Sequence, residues 1–136
     1  MGRASLSGLL LDTHVWLWHL DRNRKLPRGL SRLIDASPDD CWLSPISVWE
    51  VGTLARRRRI RLSMPFLDWT REALRRLPLR EAQVSVEVAL VTDEVDVAVT
   101  DPADRFLAAT ALVYDLTLLT VDGRLTRAKG IPTRSR

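Results

Sequence analysis

The chain has 136 residues, of which 46% are hydrophobic and 28% charged, with a net charge of +4. That length suits one domain able to bury a core without metals or disulfides, and the composition excludes disordered, collagen-like and low-complexity classes. No apolar run reaches the ~18–20 residues of a membrane-spanning helix, the MGRASLSG start lacks a signal-peptide pattern, and the lone Cys41 cannot form an internal disulfide. Together these predict one cytoplasmic domain over residues 1–136, with 1–7 disordered. Cys41 reads as a small buried apolar side chain rather than a catalytic thiol.

Leu9–Leu11 is a short apolar run expected to form a buried strand ending at Asp12. Thr13–Leu20 follows as a helix, then a polar loop from Asp21 to Lys25. Pro27 opens a second helix with Leu30, Leu33 and Ile34 on one face. Pro38-Asp39-Asp40 is a turn, and Cys41-Trp42-Leu43 a short strand. Ser44-Pro45 gives an N-cap followed by Pro at the first helical position, starting a helix that ends near Arg58. Pro65 opens another helix through Leu77. Gln83-Val84 is predicted as strand and Val86–Val91 as a short helix. Asp101-Pro102 repeats the N-cap signal, and the helix to Tyr114 is apolar nearly all round, which places it in the middle of the molecule. Leu116–Thr120 is a second unbroken strand, ending just before Asp122, and Ile131 starts a short last one.

Unbroken apolar strands followed by helices predict βαβ units and a parallel sheet covered on both faces. In such sheets, ligands bind beyond the carboxyl ends of the strands. Asp12, Asp122, the N-cap and N3 pair Asp101 and Asp104, and Glu50 would then meet at one edge. Each acid alone has an ordinary reading as a turn or cap residue. Glu50 differs, because it lies in the apolar stretch Val48-Trp49-Glu50-Val51, where an unpaired carboxylate is costly. Converging carboxylates raise one another's pKa unless a cation sits among them, and a hard cation such as Mg²⁺ or Mn²⁺ resolves that. Zinc is disfavoured, since Cys41, His14 and His19 show no ligand spacing. Charge is segregated along the chain: a basic run spans Arg56–Arg61, the C-terminal end is basic, and the segment from Glu81 to Asp104 has seven acids and no Lys or Arg. Such an alternation suits solvated faces or an acidic pocket with a basic rim.

Four segments in order, LLLDTH (Leu9–His14) followed by VWLW, LSPISVWEVGTLARRRRIRL (Leu43–Leu62), TDPADRFLAATAL (Thr100–Leu112) and LTLLTVDGRL (Leu116–Leu125), resemble the PIN-domain ribonucleases. The particular resemblance is to the toxins of VapBC-type toxin–antitoxin pairs. It spans about Leu9 to Ile131 and departs at Thr100, where Arg is frequent, and at Arg59, where Gly is common. It implies an α/β fold, a PIN-like three-layer α/β/α sandwich around a mostly parallel sheet. It also implies a metal-dependent endoribonuclease leaving 5′-phosphate and 3′-hydroxyl ends, with catalytic acids at Asp12, Glu50, Asp104 and Asp122. Mg²⁺ (or Mn²⁺ in its place) would be held by these four and Asp101, an RNA would be the substrate, and a VapB-type antitoxin and a second copy of the chain would be partners. Glu50 would position a water or accept its proton. Thr13 and Thr120 either orient water or a carboxylate or pack at strand ends, and His14 is expected to bond locally at its helix start rather than act as a base. Trp16, Trp18, Trp42, Trp49 and Trp69 could stack bases, but their helical and strand spacing favours core or subunit contacts. The Arg56–Arg61 run has three readings: a solvated helix end, an RNA contact or an antitoxin contact. The partner groove is expected near the Pro65–Leu77 helix. The alternative function is a catalytically silent PIN-like protein- or RNA-binding module, which loss of an acid would signal. A phosphoreceiver-like domain would need adjacent acids after its first strand and a late-strand Lys, whereas Asp12 is followed by Thr13-His14 and the only Lys residues are Lys25 and Lys129.

Overall fold

A computed structural model describes residues 8–136; the expected disorder of 1–7 lies outside the described residues. The elements run β1 (Leu9–Leu11), α1 (Thr13–Leu20), α2 (Arg28–Ala36), β2 (Cys41–Leu43), α3 (Pro45–Arg56), α4 (Phe66–Arg76), β3 (Arg80–Glu81), α5 (Val86–Val91), α6 (Pro102–Tyr114), β4 (Thr117–Leu119), α7 (Gly123–Thr126) and β5 (Thr133–Arg134). The strands form one sheet in the order β3-β2-β1-β4-β5, every neighbouring pair parallel. The expected α/β architecture is the observed one.

The pleat explains the unbroken apolar strands, because successive side chains point to opposite faces and both faces are covered. Leu10 and Leu118 enter one cluster with Val88, Leu107, Ala108 and Leu125, packed under α5, α6 and α7. Leu9, Leu11 and Leu119 enter a second with Val15, Trp16, Leu30 and Ile34, packed under α1 and α2. Helices on the two faces of a central sheet make three layers. Leu10 and Leu11 have no solvent exposure, so truncating either to Ala would cost roughly 2–5 kcal/mol.

Ser44 caps α3 through its Oγ, which accepts from the Ile46 N–H at 3.0 Å, and Asp101 caps α6 by accepting from the Asp104 N–H at 3.1 Å. Pro27 and Pro65 sit one position earlier than expected, as N-caps rather than first helical residues. The α3 helix stops at Arg56, and Arg58 takes a left-handed φ of 58°. The α6 helix is buried along Leu107–Ala111 but leaves Leu112 38% exposed, so its apolar circumference is not wholly covered. Two strands lie elsewhere than expected. Gln83-Val84 is not strand: the third strand is Arg80–Glu81, an exposed edge whose charged residues suit that position. The last strand begins at Thr133, two residues beyond Ile131, whose side chain packs into the first core cluster. Cys41 is fully buried, its thiol donates to the Ser37 carbonyl, and burial pushes its pKa up to about 11, which makes it an inert core residue.

Candidate active site

Each acid is delivered by a local rule of chain geometry. Asp12 follows β1 and is the N-cap of α1, its Oδ1 accepting from the Thr13 N–H at 2.7 Å. Asp122 follows β4 and is the N-cap of α7, its Oδ1 accepting from the Arg124 N–H at 2.8 Å. Asp101 and Asp104 occupy the first turn of α6, and Glu50 lies in the second turn of α3. Because β1 and β4 are adjacent and parallel, their carboxyl ends open on the same edge. The result is an open cleft of about 390 Å³ whose walls include Asp12, Glu50, Asp101, Asp104 and Asp122. All five acids singled out in the sequence are therefore brought together.

Two threonines hold this arrangement. The Thr120 hydroxyl donates to Asp12 Oδ2 at 2.6 Å and accepts from the Asp122 N–H at 3.0 Å, tying two acids from opposite ends of the chain. The Thr13 hydroxyl donates to Glu50 Oε1 and lies 3.0 Å from Ser47 Oγ. Of the two readings open for Thr13 and Thr120, carboxylate orientation is the one the structure displays. Ser47 was not singled out; its position one turn before Glu50, on the same helical face, is the signal that could have found it.

Burial sets the electrostatics. Asp12 is 8% exposed, and desolvation raises its pKa against the lowering by Thr120 and Thr13. Glu50 is raised by burial despite its Thr13 bond, and by Asp12 and Asp101. Asp104 is pushed up to about 7, first by burial and then by Asp101, Asp12, Asp122 and Glu50. Carboxylates so placed are poorly compensated by the protein itself. Among the described residues, no three His, Cys, Asp or Glu side chains stand close enough to ligate one ion directly. The set fits Mg²⁺ or Mn²⁺, which take oxygen donors; Mg²⁺ in particular is commonly held by one or two carboxylates while keeping several waters. His14 is exposed on the cleft wall, its ring tilted 54° against that of Trp18 with 5.7 Å between centroids, rather than making the expected local hydrogen bond. Of the other Trp residues, Trp16 is fully buried with its ring against Trp69, Trp42 packs on Tyr114, and Trp49 is 56% exposed.

A parallel sheet with acids gathered beyond its carboxyl edge defines a class of α/β proteins, and comparison with known proteins specifies the family. The PIN domain profile matches residues 9–131, and the chain belongs to the PIN domain family. It is 32% identical over 123 residues to Ribonuclease VapC22 of Mycobacterium tuberculosis, covering 88% of this chain and 91% of that protein. Its fold is similar to that in VapBC2 from Rickettsia felis bound to a DNA fragment from their promoter, with a TM-score of 0.70 and 13% identity over 93% of this chain and 96% of that one. It is also similar to FitAcB from Neisseria gonorrhoeae, with a TM-score of 0.64 and 23% identity over 93% and 96% of the two chains.

Proposed function

We propose that this protein is a divalent-metal-dependent endoribonuclease, the toxin of a VapBC-type toxin–antitoxin pair. The observation that carries the reading is the single cleft lined by Asp12, Glu50, Asp101, Asp104 and Asp122, where burial raises the pKa of Asp12 and Glu50 from their ordinary values and that of Asp104 to about 7. The relative at 32% identity, a ribonuclease by name, supports the activity.

Asp12, Asp104 and Asp122, with Glu50 and Asp101, would hold Mg²⁺ or Mn²⁺ in part through the ion's own waters, since no three of them stand close enough to ligate it directly. When bound, the ion would acidify a water and offset charge on the phosphate oxygens. The protein's own groups do the rest. Thr120 fixes Asp12 and the backbone of Asp122 in one unit, so two acids keep a set separation. Thr13 fixes Glu50. Burial raises the Glu50 pKa from its ordinary value, which makes the carboxylate a stronger base toward an attacking water, and Glu50 fills that role. The phosphodiester is cleaved at the bond to the 3′ oxygen, leaving 5′-phosphate and 3′-hydroxyl ends.

The antitoxin would lie in the hollow of about 650 Å³ between α1 and α4, walled by Leu17, Trp18, Ile60, Met64 and Trp69, beside the Pro65–Leu77 segment where sequence placed a partner. The solved relatives described as VapBC complexes support such a partner.

The test is cleavage of total RNA by the purified protein with Mg²⁺, with EDTA and as the Asp12→Asn variant, the cut ends being sequenced. Cleavage that EDTA and Asp12→Asn each reduce at least 100-fold is the expected result. A folded protein that neither binds Mn²⁺ nor cleaves RNA would overturn it and leave the catalytically silent binding module.

A further inference from the structure

Three depressions in the surface meet at one side chain. Trp18 of α1 forms part of the wall of the acid cleft and of the α1–α4 hollow, and also of a third pocket of about 620 Å³ beside the loop joining α1 to α2. That third pocket carries Arg22, Arg24 and Arg28 and no acidic residue in its walls. Arg22 is engaged by Asp35 at 3.2 Å. Arg24 and Arg28 are exposed and pair with no carboxylate among the described residues. Arg28 is moreover the first residue of α2, where a cation opposes the helix dipole. Stability of the fold therefore does not account for Arg28, and both exposed arginines are placed to meet a bound anion. The Arg56–Arg61 run is the denser basic segment: the depression walled by Arg58, Arg59 and Arg61 shares no residue with the acid cleft, whereas Arg57 lines a hollow between α3 and α6 with Glu50 and Asp101 and marks a second basic approach to the cleft.

We propose that Trp18, Arg24 and Arg28 form a subsite for the single-stranded RNA flanking the scissile bond. A base stacks on the Trp18 indole and the phosphates beyond it run to Arg24 and Arg28. An indole wall followed by unpaired cations matches the way single strands are held without reading sequence: a stacking platform plus a basic track for the backbone. The placement also solves an electrostatic problem, since the acid cleft alone repels a polyanion and the flanking arginines supply its attraction. The subsite rests on the ribonuclease reading and extends it to where the substrate strand lies.

The test compares the wild type with the Arg24→Ala/Arg28→Ala double variant. Fluorescein-labelled 20-nucleotide single-stranded RNA is titrated by anisotropy in EDTA at several KCl concentrations, and cleavage of the 20-mer and of a tetranucleotide is measured with Mg²⁺. Both arginines are exposed, so the fold is retained, and thermal melting checks it. The expected result is RNA affinity weakened about tenfold or more, with the slope of log affinity against log salt reduced by about 1.4, since each single-strand phosphate contact contributes ~0.7. KM for the 20-mer rises while tetranucleotide cleavage is unchanged. Trp18→Leu weakens binding about tenfold with the salt slope preserved. Wild-type cleavage with equal affinity and slope in the double variant overturns the subsite and leaves the nuclease reading standing. Absence of RNA binding and cleavage by the wild type overturns both. Unchanged RNA binding with lost binding of a 20-residue poly-Glu peptide overturns the subsite in favour of a protein contact.

Discussion

Asp104 shows most directly how single residues are set against the fold. Its carboxyl titrates at about 7 in the folded chain, against ~3.9 for an unfolded Asp. Between those values the native state binds a proton that the unfolded state does not, so metal-free stability falls as pH rises from about 4 to about 7. The upward shifts of Asp12 and Glu50 act with the same sign. Asp104→Asn removes its own part of this penalty. At pH 8 without divalent ions it should raise the melting temperature by about 2–5 °C, a discounted figure because the group is half-exposed, while abolishing cleavage. Mn²⁺ should stabilise the wild type at pH 8 and leave the variant nearly unmoved; scanning calorimetry across pH 5–8 with and without Mn²⁺ reads all of this. The acids were legible in the sequence because strand ends and N-caps announce themselves by Pro, Thr and short apolar runs. Ser47 was not, because a helix period places it on a face without saying what that face meets.

Among the elements, α6 carries more than its two acids. The Arg105 guanidinium, next to Asp104, donates to the carbonyls of Thr92 at 2.6 Å, Val99 at 2.7 Å, Val95 at 2.9 Å and Asp96 at 3.0 Å. One side chain thus closes the irregular 92–99 segment that has no sheet partner, as a rigid fork with five donors can and an ammonium cannot. Arg105→Ala should cost roughly 2–4 kcal/mol, since four carbonyls lose a charged donor at once, and amide exchange across 92–99 should speed up at least tenfold. Arg105→Lys should recover only part of either. The same scale explains where sequence reading faltered. Helices with caps and long periodicity were placed within a residue or two. Arg80–Glu81 was passed over in favour of Gln83-Val84 because a two-residue edge strand of charged side chains has no apolar alternation to read.

For the whole molecule, the exposed Trp49 on α3 is the feature an isolated chain leaves unexplained. It stands beside Ile46, Leu54 and Phe106 in a shallow hollow of about 560 Å³ between α3 and α6. A large indole at 56% exposure on a predominantly apolar wall suits an association surface, and a second copy of the chain is the occupant the family resemblance implies. If two copies pair through this hollow, Trp49→Glu should give a species of half the wild-type mass in light scattering without lowering the melting temperature of the protomer. A wild type that is monomeric at tens of micromolar would count against it. The three-layer order could be read from two unbroken strands and their helices, whereas association could not, because core and interface Trp residues look alike in a sequence.

The central pairing of β1 with β4 joins residues near the two ends of the chain, and the bond from Thr120 to Asp12 spans 108 positions. During synthesis, a nascent chain that has not yet released β4 from the ribosome carries Asp12 without Thr120 or Asp122. Such a chain has β1 without its neighbour and no complete set of acids. Completion of the acid cleft is therefore topological, set by the order in which the strands are translated: it waits on residues 117–122, which bring β4, Thr120 and Asp122 to the Asp12 laid down at the start.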